Sequence, residues 1–470
     1  MSLTKVSYSM ITGAPINVLD YGASTSASAA TNTAAIQAAI DATPNGGEIL
    51  IPPGTYNITY GSLNFTRRNS IKLTSGASKY SAVLQASGTA ATTSTPLLDI
   101  AGCYSMVFQG IAFKGVSTSG IGVYIHRPIT GADAYSSDHL FESCYFTQFN
   151  TGSQVGRLDV IESNNEDMKF YNCKWEVCNI GHSEYWQNAL QNVLENCAIW
   201  TCPIGINLGN ASSQTGSIAL YNIDFSTHTT AAIYLTAPCS LTINGGRCET
   251  MKSFIDTGGF ASSAFPAWSI YDMMLTNQTN INYPIITCPT SGFTAVNCQF
   301  GNYTEAKEWI SVPFYQTKVV LINCKFNAPI DYGVSPVGGA YYTLGGYPLG
   351  SAGAGQYDLI GCMYWDTASS AFRPVADNNI AYFGVYSITT SATPDVREAN
   401  IWLVQNSTAP LTITAFTALQ NQKFTLVNHY QSTQTTTIKN NATIKTITGA
   451  DTVLVSGMTF VYISGISYQV

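Results

Sequence analysis

Charge is scarce in this chain: Asp, Glu, Lys and Arg make up 10% of its 470 residues, against about 25% in an average globular protein. The net charge of −7 comes with few basic clusters, which argues against nucleic acid as a partner. No uninterrupted apolar run reaches membrane length, so membrane insertion is not expected. The opening MSLTKVSYSMITGAP has no apolar core of the kind a signal peptide needs, and the expectation is synthesis in a reducing cytosol. The twelve cysteines include no CxxC pair; Cys173 with Cys178 and Cys197 with Cys202 repeat a five-residue spacing that structural zinc sites do not use. Neither a metal nor a cofactor is expected. What is abundant is Gly, Ser, Thr and Asn, a neutral exterior suited to a sugar ligand or to close packing against sister chains.

The stretch FYNCKW, residues 170 to 175, recurs as FESCYF, LENCAI, LYNIDF, AVNCQF, LINCKF and LIGCMY. Aligned on the Cys position, the copies give a column of Ile111, Cys144, Cys173, Cys197, Ile223, Gly246, Met273, Cys298, Cys324 and Cys362. Successive differences are 33, 29, 24, 26, 23, 27, 25, 26 and 38, and the seven that lie between 23 and 29 have the length of one solenoid turn. Apolar residues fill the columns three before and two after, so these three columns face inward. The residue just before the Cys column is Gly110, Ser143, Asn172, Asn196, Asn222, Gly245, Asp272, Asn297, Asn323 or Gly361. Gly, Asn and Asp tolerate left-handed backbone, so this column is a bend. Period-two alternation on both sides of a bend reads as strand, turn, strand. The fold expected is all-β: a right-handed, single-stranded parallel β-helix. Its inward cysteines are small buried hydrophobes.

Four regions follow: an arm over residues 1–15, a cap over 16–60, the parallel β-helix over 61–387, and a small C-terminal antiparallel β-sandwich domain over 388–470. In the cap, INVLDYGAS reads as a strand ending at Asp20, Tyr21 and Gly22. TNTAAIQAAIDA reads as a capping helix with Ile36, Ala39 and Ile40 on one face and Thr31, Asn32 or Thr33 as N-cap. A solenoid needs such a cap, because its first coil exposes apolar side chains and strand edges. The Gly- and Tyr-rich GVSPVGGAYYTLGGYPLGSAGAGQYD is too long for an ordinary turn.

The segment INVLDYGAS…TNTAAIQAAIDA…GGEILIPPGTYNI resembles the N-terminal signature of the pectate-lyase-like superfamily, and LTKVSYSMITGAPINVLDYGA resembles the opening of bacteriophage tailspikes. The closing IWLVQNSTAPLTIT…FVYISGISYQV is similar to the small β-domain that ends several such spikes. The resemblance implies a homotrimeric polysaccharide depolymerase on the phage virion that binds and cleaves a bacterial surface polysaccharide. It also implies virion attachment through residues 1–15, directly or by an adaptor protein.

Glycan hydrolysis needs two carboxylates, about 5 to 5.5 Å apart for retention or about 6.5 to 9.5 Å for inversion. The column after the Cys position points outward and puts Asp224 beside Arg247, with Glu249 two residues further along the next coil. Strand geometry makes the offset from Asp224 to Glu249 about 8 Å. These two are therefore read as the acid and base, with Arg247 holding one ionised; an exposed salt-bridge cluster is the alternative. Glu195, outward before the bend, is a substitute carboxylate. Trp200 and Tyr221 present faces for sugar stacking or for subunit packing. The run GHSEYWQNALQN reads as a loop carrying His182, Glu184, Tyr185 and Trp186, either a second binding cluster or a subunit-interface loop. Three functions compete: a glycoside hydrolase, a polysaccharide lyase acting on a uronate, and an adhesin that only binds.

Overall fold

A computed structural model gives the structure of the chain. It describes residues 13–128, 135–157, 165–185, 190–209, 216–258, 267–279, 285–287, 292–301, 308–311, 318–327, 330–331, 342–344, 356–366, 371–374, 381–382, 386–388, 393, 401–404, 409–418, 423–428, 435–454, 458–463 and 466–470. The chain forms two compact units: Met1–Ile286 with Asn297–Thr304, and Thr287–Val296 with Glu305–Val470. Most of the Gly- and Tyr-rich excursion, and residues 1–12 of the arm, lie outside the described residues.

The first unit is a parallel β-solenoid. A coil such as Lys169–Tyr171, Lys174–Glu176 and Ile180–Glu184 contributes a strand before the bend, a strand after it, and a third in a second sheet, while in Ser217–His228 and Ser240–Met251 the first two run on as one strand. In the first sheet Lys72, Val107, Leu140, Lys169, Val193, Ala219 and Thr242 pair in succession, all in parallel. In the second, Leu63, Leu98, Val123, Ser153, His182, Ile206, Ile233 and Ile255 do the same.

Like residues therefore stack along the axis. Phe108, Phe141 and Phe170 lie ring on ring at 4.6 and 4.8 Å, and Phe113, Phe146 and Trp175 at 5.4 and 5.2 Å. Cys144, Cys173, Cys197 and Cys298 are buried, as the register requires. Each thiol also donates to a carbonyl of the coil before it, Cys144 to Phe108 at 3.4 Å and Cys173 to Phe141 at 3.3 Å. The cysteines thus satisfy backbone oxygens as well as filling space.

Every member of the bend column has positive φ, from Asn222 at 51° to Gly245 at 74°. Side-chain ladders run along it: Asn172 Nδ2 donates to Ser143 Oγ at 3.0 Å, Asn222 Nδ2 to Asn196 Oδ1 at 2.8 Å, and Asn297 Nδ2 to Asp272 Oδ1 at 3.0 Å. Five residues later comes a second positive-φ row, Gln148, Val177, Thr201, Thr227 and Thr250. The sequence hid it, because valine and threonine disfavour this backbone region.

At the N-terminus, Ile16–Asn17 is a short strand, and the residues read as its continuation form a 3-10 turn, Val18–Tyr21, closed by Gly22 at φ 100°. The helix spans Ala29–Ala42 with Ser28 as its N-cap, whose side chain accepts from Thr31 N. This corrects the expected caps: Asn32 instead lies buried inside the first turn and accepts from Ser24 N at 2.8 Å. Ile36, Ala39 and Ile40 are buried as expected. Gln37 pairs with the free edge of the first coil, donating to Asn64 O at 3.1 Å and accepting from Asn64 N at 2.9 Å.

The second unit begins with coil strands such as Gly292–Val296 and Lys318–Ile322, paired in parallel. Towards the C-terminus come small sheets with antiparallel pairings, Phe424 opposite Phe460 and Val461 opposite Tyr468. Parallel pairings join them, among them Ile401 with Thr425 and Leu411 with Thr436. Their separations of 24 (425 − 401) and 25 (436 − 411) are those of a solenoid coil. Ile413, Phe424, Leu426, Ile438 and Phe460 make the core of this region.

Candidate functional site

The post-bend strands carry an outward row of Ala112, Tyr145, Lys174, Ala198, Asp224, Arg247, Met274 and Gln299, each paired with the next. Asp224 and Arg247 are direct register partners, and Glu249 lies two residues further along Arg247's strand. The guanidinium holds both acids. Nε donates to Asp224 Oδ1 at 2.8 Å and Nη2 to Oδ2 at 3.2 Å, while Nη1 donates once to Glu249 Oε1 at 3.1 Å. The hydrogen bonds and charge of Asp224, and then the charge of Glu249, raise the pKa of Arg247 further. A fork on Asp224 and a single bond to Glu249 make the two carboxylates unequal.

Glu195 lies in the pre-bend row between Tyr171 and Tyr221. Lys169 holds it at 2.8 Å. Tyr221 is 40% exposed, with its ring available at the surface. Trp200 is half-buried, and Lys174 Nζ sits 3.9 Å from its ring centroid, so one face is already covered.

Glu176 belongs to the same surface although the sequence did not single it out. It accepts from the Tyr145 hydroxyl at 2.6 Å and pairs with Lys174 at 3.1 Å. Burial, and then this hydrogen bond to a carboxylate, push the Tyr145 hydroxyl well above the ordinary tyrosine range, so Tyr145 acts as a donor and not as a base. The signal was the register itself, which places Tyr145 beside Lys174 and Glu176 two residues on.

His182 and Glu184 are not on a loop. They lie on the strand Ile180–Glu184 with side chains inside the solenoid, 0% and 4% exposed. His182 occupies a position filled by Val123 and Ile206 in other coils, and Glu184 one filled by Val155 and Leu208. Trp175 Nε1 donates to Ser153 Oγ at 2.9 Å, Ser153 Oγ lies 2.7 Å from His182 Nδ1, and His182 Nε2 lies 3.1 Å from Glu184 Oε1. A chain of partners satisfies these buried polar groups and leaves no opening to substrate. Both residues therefore leave the candidate site. Tyr185 is buried and takes a hydrogen bond from Asn207 at 3.0 Å, while Trp186 lies outside the described residues.

Fold and site define a parallel β-solenoid with a carboxylate-lined outward face. Residues 15–99 match the family model described as rhamnogalacturonase A/epimerase, pectate lyase-like. No curated protein matches the chain. Among solved structures, tailspike protein 2 from Escherichia coli O157:H7 bacteriophage CAB120 is 13% identical with a TM-score of 0.49, over 65% of this chain and 42% of that one. The Acinetobacter phage vB_ApiP_P1 tailspike is 14% identical with a TM-score of 0.47, over 78% and 63%. The catalytic unit of an alpha-1,3-glucanase from Streptomyces thermodiastaticus is 13% identical with a TM-score of 0.43, over 77% and 71%. The chain thus spans less than half the length of the first tailspike and under two thirds of the second.

Proposed function

We propose that the outward face around Asp224, Arg247 and Glu249 binds a bacterial surface polysaccharide and hydrolyses its glycosidic bonds. The observation that carries this is the unequal grip of one arginine on two carboxylates of adjacent coils, beside the exposed ring of Tyr221. A two-point contact fixes Asp224 in place, and its carboxylate is assigned to take a proton from water. Glu249, held by a single guanidinium bond, is assigned to deliver a proton drawn from solvent to the leaving oxygen. The offset of about 8 Å given by strand geometry leaves room for that water, which implies inversion of the anomeric centre.

The pectate-lyase-like N-terminal segment and the tailspike-like character of the chain's two ends support a phage-tail setting, with assembly as a homotrimer and virion attachment through residues 1–15. Purified capsule or O-antigen treated with the protein should gain reducing ends without the ultraviolet absorbance of a new C=C bond. That absorbance would instead mark a lyase, and an uncut polymer that stays bound would mark an adhesin. In light scattering the protein should have three times the chain mass of 50.4 kDa. A monomer would remove the trimer from this proposal.

A further inference from the structure

We infer that the outward face before the bend also binds the polysaccharide, with the glycan chain laid along the solenoid axis and stacked on a tyrosine at every second coil. The inference rests on reading the protein as a glycan binder, and adds a second binding face and the direction of the chain across it. In the pre-bend row Tyr171, Glu195, Tyr221, Asn244 and Tyr271 are successive register partners. Tyrosines thus alternate with hydrogen-bonding side chains, and consecutive tyrosines stand two coils, about 10 Å, apart. Two linked pyranose rings of an extended chain cover that distance, so a chain lying along the axis meets a tyrosine at every second sugar. A chain crossing the coils would meet one tyrosine only.

The row stands beside a shallow floor. Two residues earlier, and so on the same outward face, Val193, Ala219, Thr242 and Ser269 pair in succession. Leu194, Leu220, Ile243 and Ile270 between the two rows are buried, which fixes both rows as outward. No side chain of the floor is larger than valine, so the tyrosines rise above it and present ring faces to a sugar lying alongside. Tyr171 and Tyr221 are exposed and Tyr271 is part-buried. At the head of the floor stands Lys169, whose Nζ lies 5.7 Å from the Tyr171 ring centroid and 2.8 Å from Glu195. It braces both side chains before any ligand arrives, which lowers the ordering cost of binding. Glu195 and Asn244, each between two tyrosines, offer acceptors to sugar hydroxyls, and Asn244 offers a donor as well.

The test titrates the full chain against a panel of immobilised, purified bacterial O-antigens and capsules, and repeats the titration with variants on whichever member binds. Tyr171→Ala, Tyr221→Ala and Tyr271→Ala should each weaken binding by about three- to tenfold, with circular dichroism and molecular mass unchanged. Tyr221→Phe, which keeps the ring, should stay within about twofold of the unmodified chain. Tyr104→Ala should do the same, since Tyr104 is equally exposed but bridges Asn69 and Ser137 outside this row. A loss in one tyrosine variant alone, or in none, overturns the axial chain while leaving a glycan-binding protein. A variant of lower mass in light scattering would make the row a contact between subunits and overturn the inference likewise. Failure of the unmodified chain to bind any member removes the glycan reading and this inference with it.

Discussion

At the scale of single residues, the asymmetry of Arg247 separates two substitutions that remove one charge each. Asp224→Asn loses the group held by two bonds and Glu249→Gln the group held by one. Each should lower kcat by at least about a hundredfold, measured by reducing-end release, with circular dichroism unchanged because the cluster is exposed. Wild-type turnover in both would dismiss the pair as a surface salt bridge. The pair was legible in the sequence because the coil register alone fixes which outward residues are neighbours. His182 and Glu184 were not, because polarity was taken for exposure. Aligning GHSE on its glycine with TGSQV and IGINL would have put both in inward columns. A different titration governs acid stability. His139 accepts from Met106 N, and burial holds its pKa down to about 3; His228 is likewise held down to about 4. Both are neutral in the fold and take up protons on unfolding, so their penalty is absent above the unfolded value near 6.5 and grows as pH falls below it. Each costs up to about 1.4 kcal/mol per pH unit in that window. Tm should fall between pH 6 and pH 4, and His228→Gln should flatten the slope by about one proton. An unchanged slope would acquit His228.

Elements depend on backbone positions that composition does not advertise. The first bend was legible through its Asn, Asp and Gly, whereas the second carries Val177 at φ 56° and Thr201 at φ 53°. Val177 is 42% exposed and adds little burial to offset that strain. Val177→Asn should therefore raise stability by about 1 kcal/mol, read from the denaturation midpoint. A loss would show that the valine side chain matters more than its backbone. The second sheet depends on a row of glycines, Gly122, Gly152, Gly181 and Gly205, whose neighbouring positions pair in register from coil to coil. A Cβ on Gly181 would stand 2.6 Å from the carbonyl oxygen of Gly205 and 2.8 Å from Ile199 Cγ2. Backbone cannot yield as a side-chain tip can, so Gly181→Ala should cost at least about 3 kcal/mol or prevent folding. Near-native stability in that variant would mean the coils can separate locally.

For the whole molecule, stacking raises a question that single contacts do not: whether coils open one by one from an end or all together. Repeat arrays allow either, because each unit touches only its neighbours. Here the interior is continuous across coils, with ring stacks from Phe108 to Phe170 and thiols bonded to the preceding coil from Cys144 to Cys197. Gln37 closes the first coil's edge, the natural starting point for fraying. The buried cysteines of the first unit report on this directly. Cys103, Cys144, Cys173, Cys178, Cys197, Cys202, Cys239, Cys248 and Cys298 all have little or no exposure. Burial raises the thiol of Cys103 to about 11 and those of Cys173, Cys178 and Cys248 well above the ordinary range, so none of these four is a ready thiolate in the fold. Alkylation in increasing denaturant, followed by mass spectrometry, should leave these nine unmodified until the unfolding transition and then label them together. A ladder in which Cys103 or Cys298 reacts well before Cys173 and Cys197 would show fraying from an end, and the solenoid would then be a chain of weakly coupled coils.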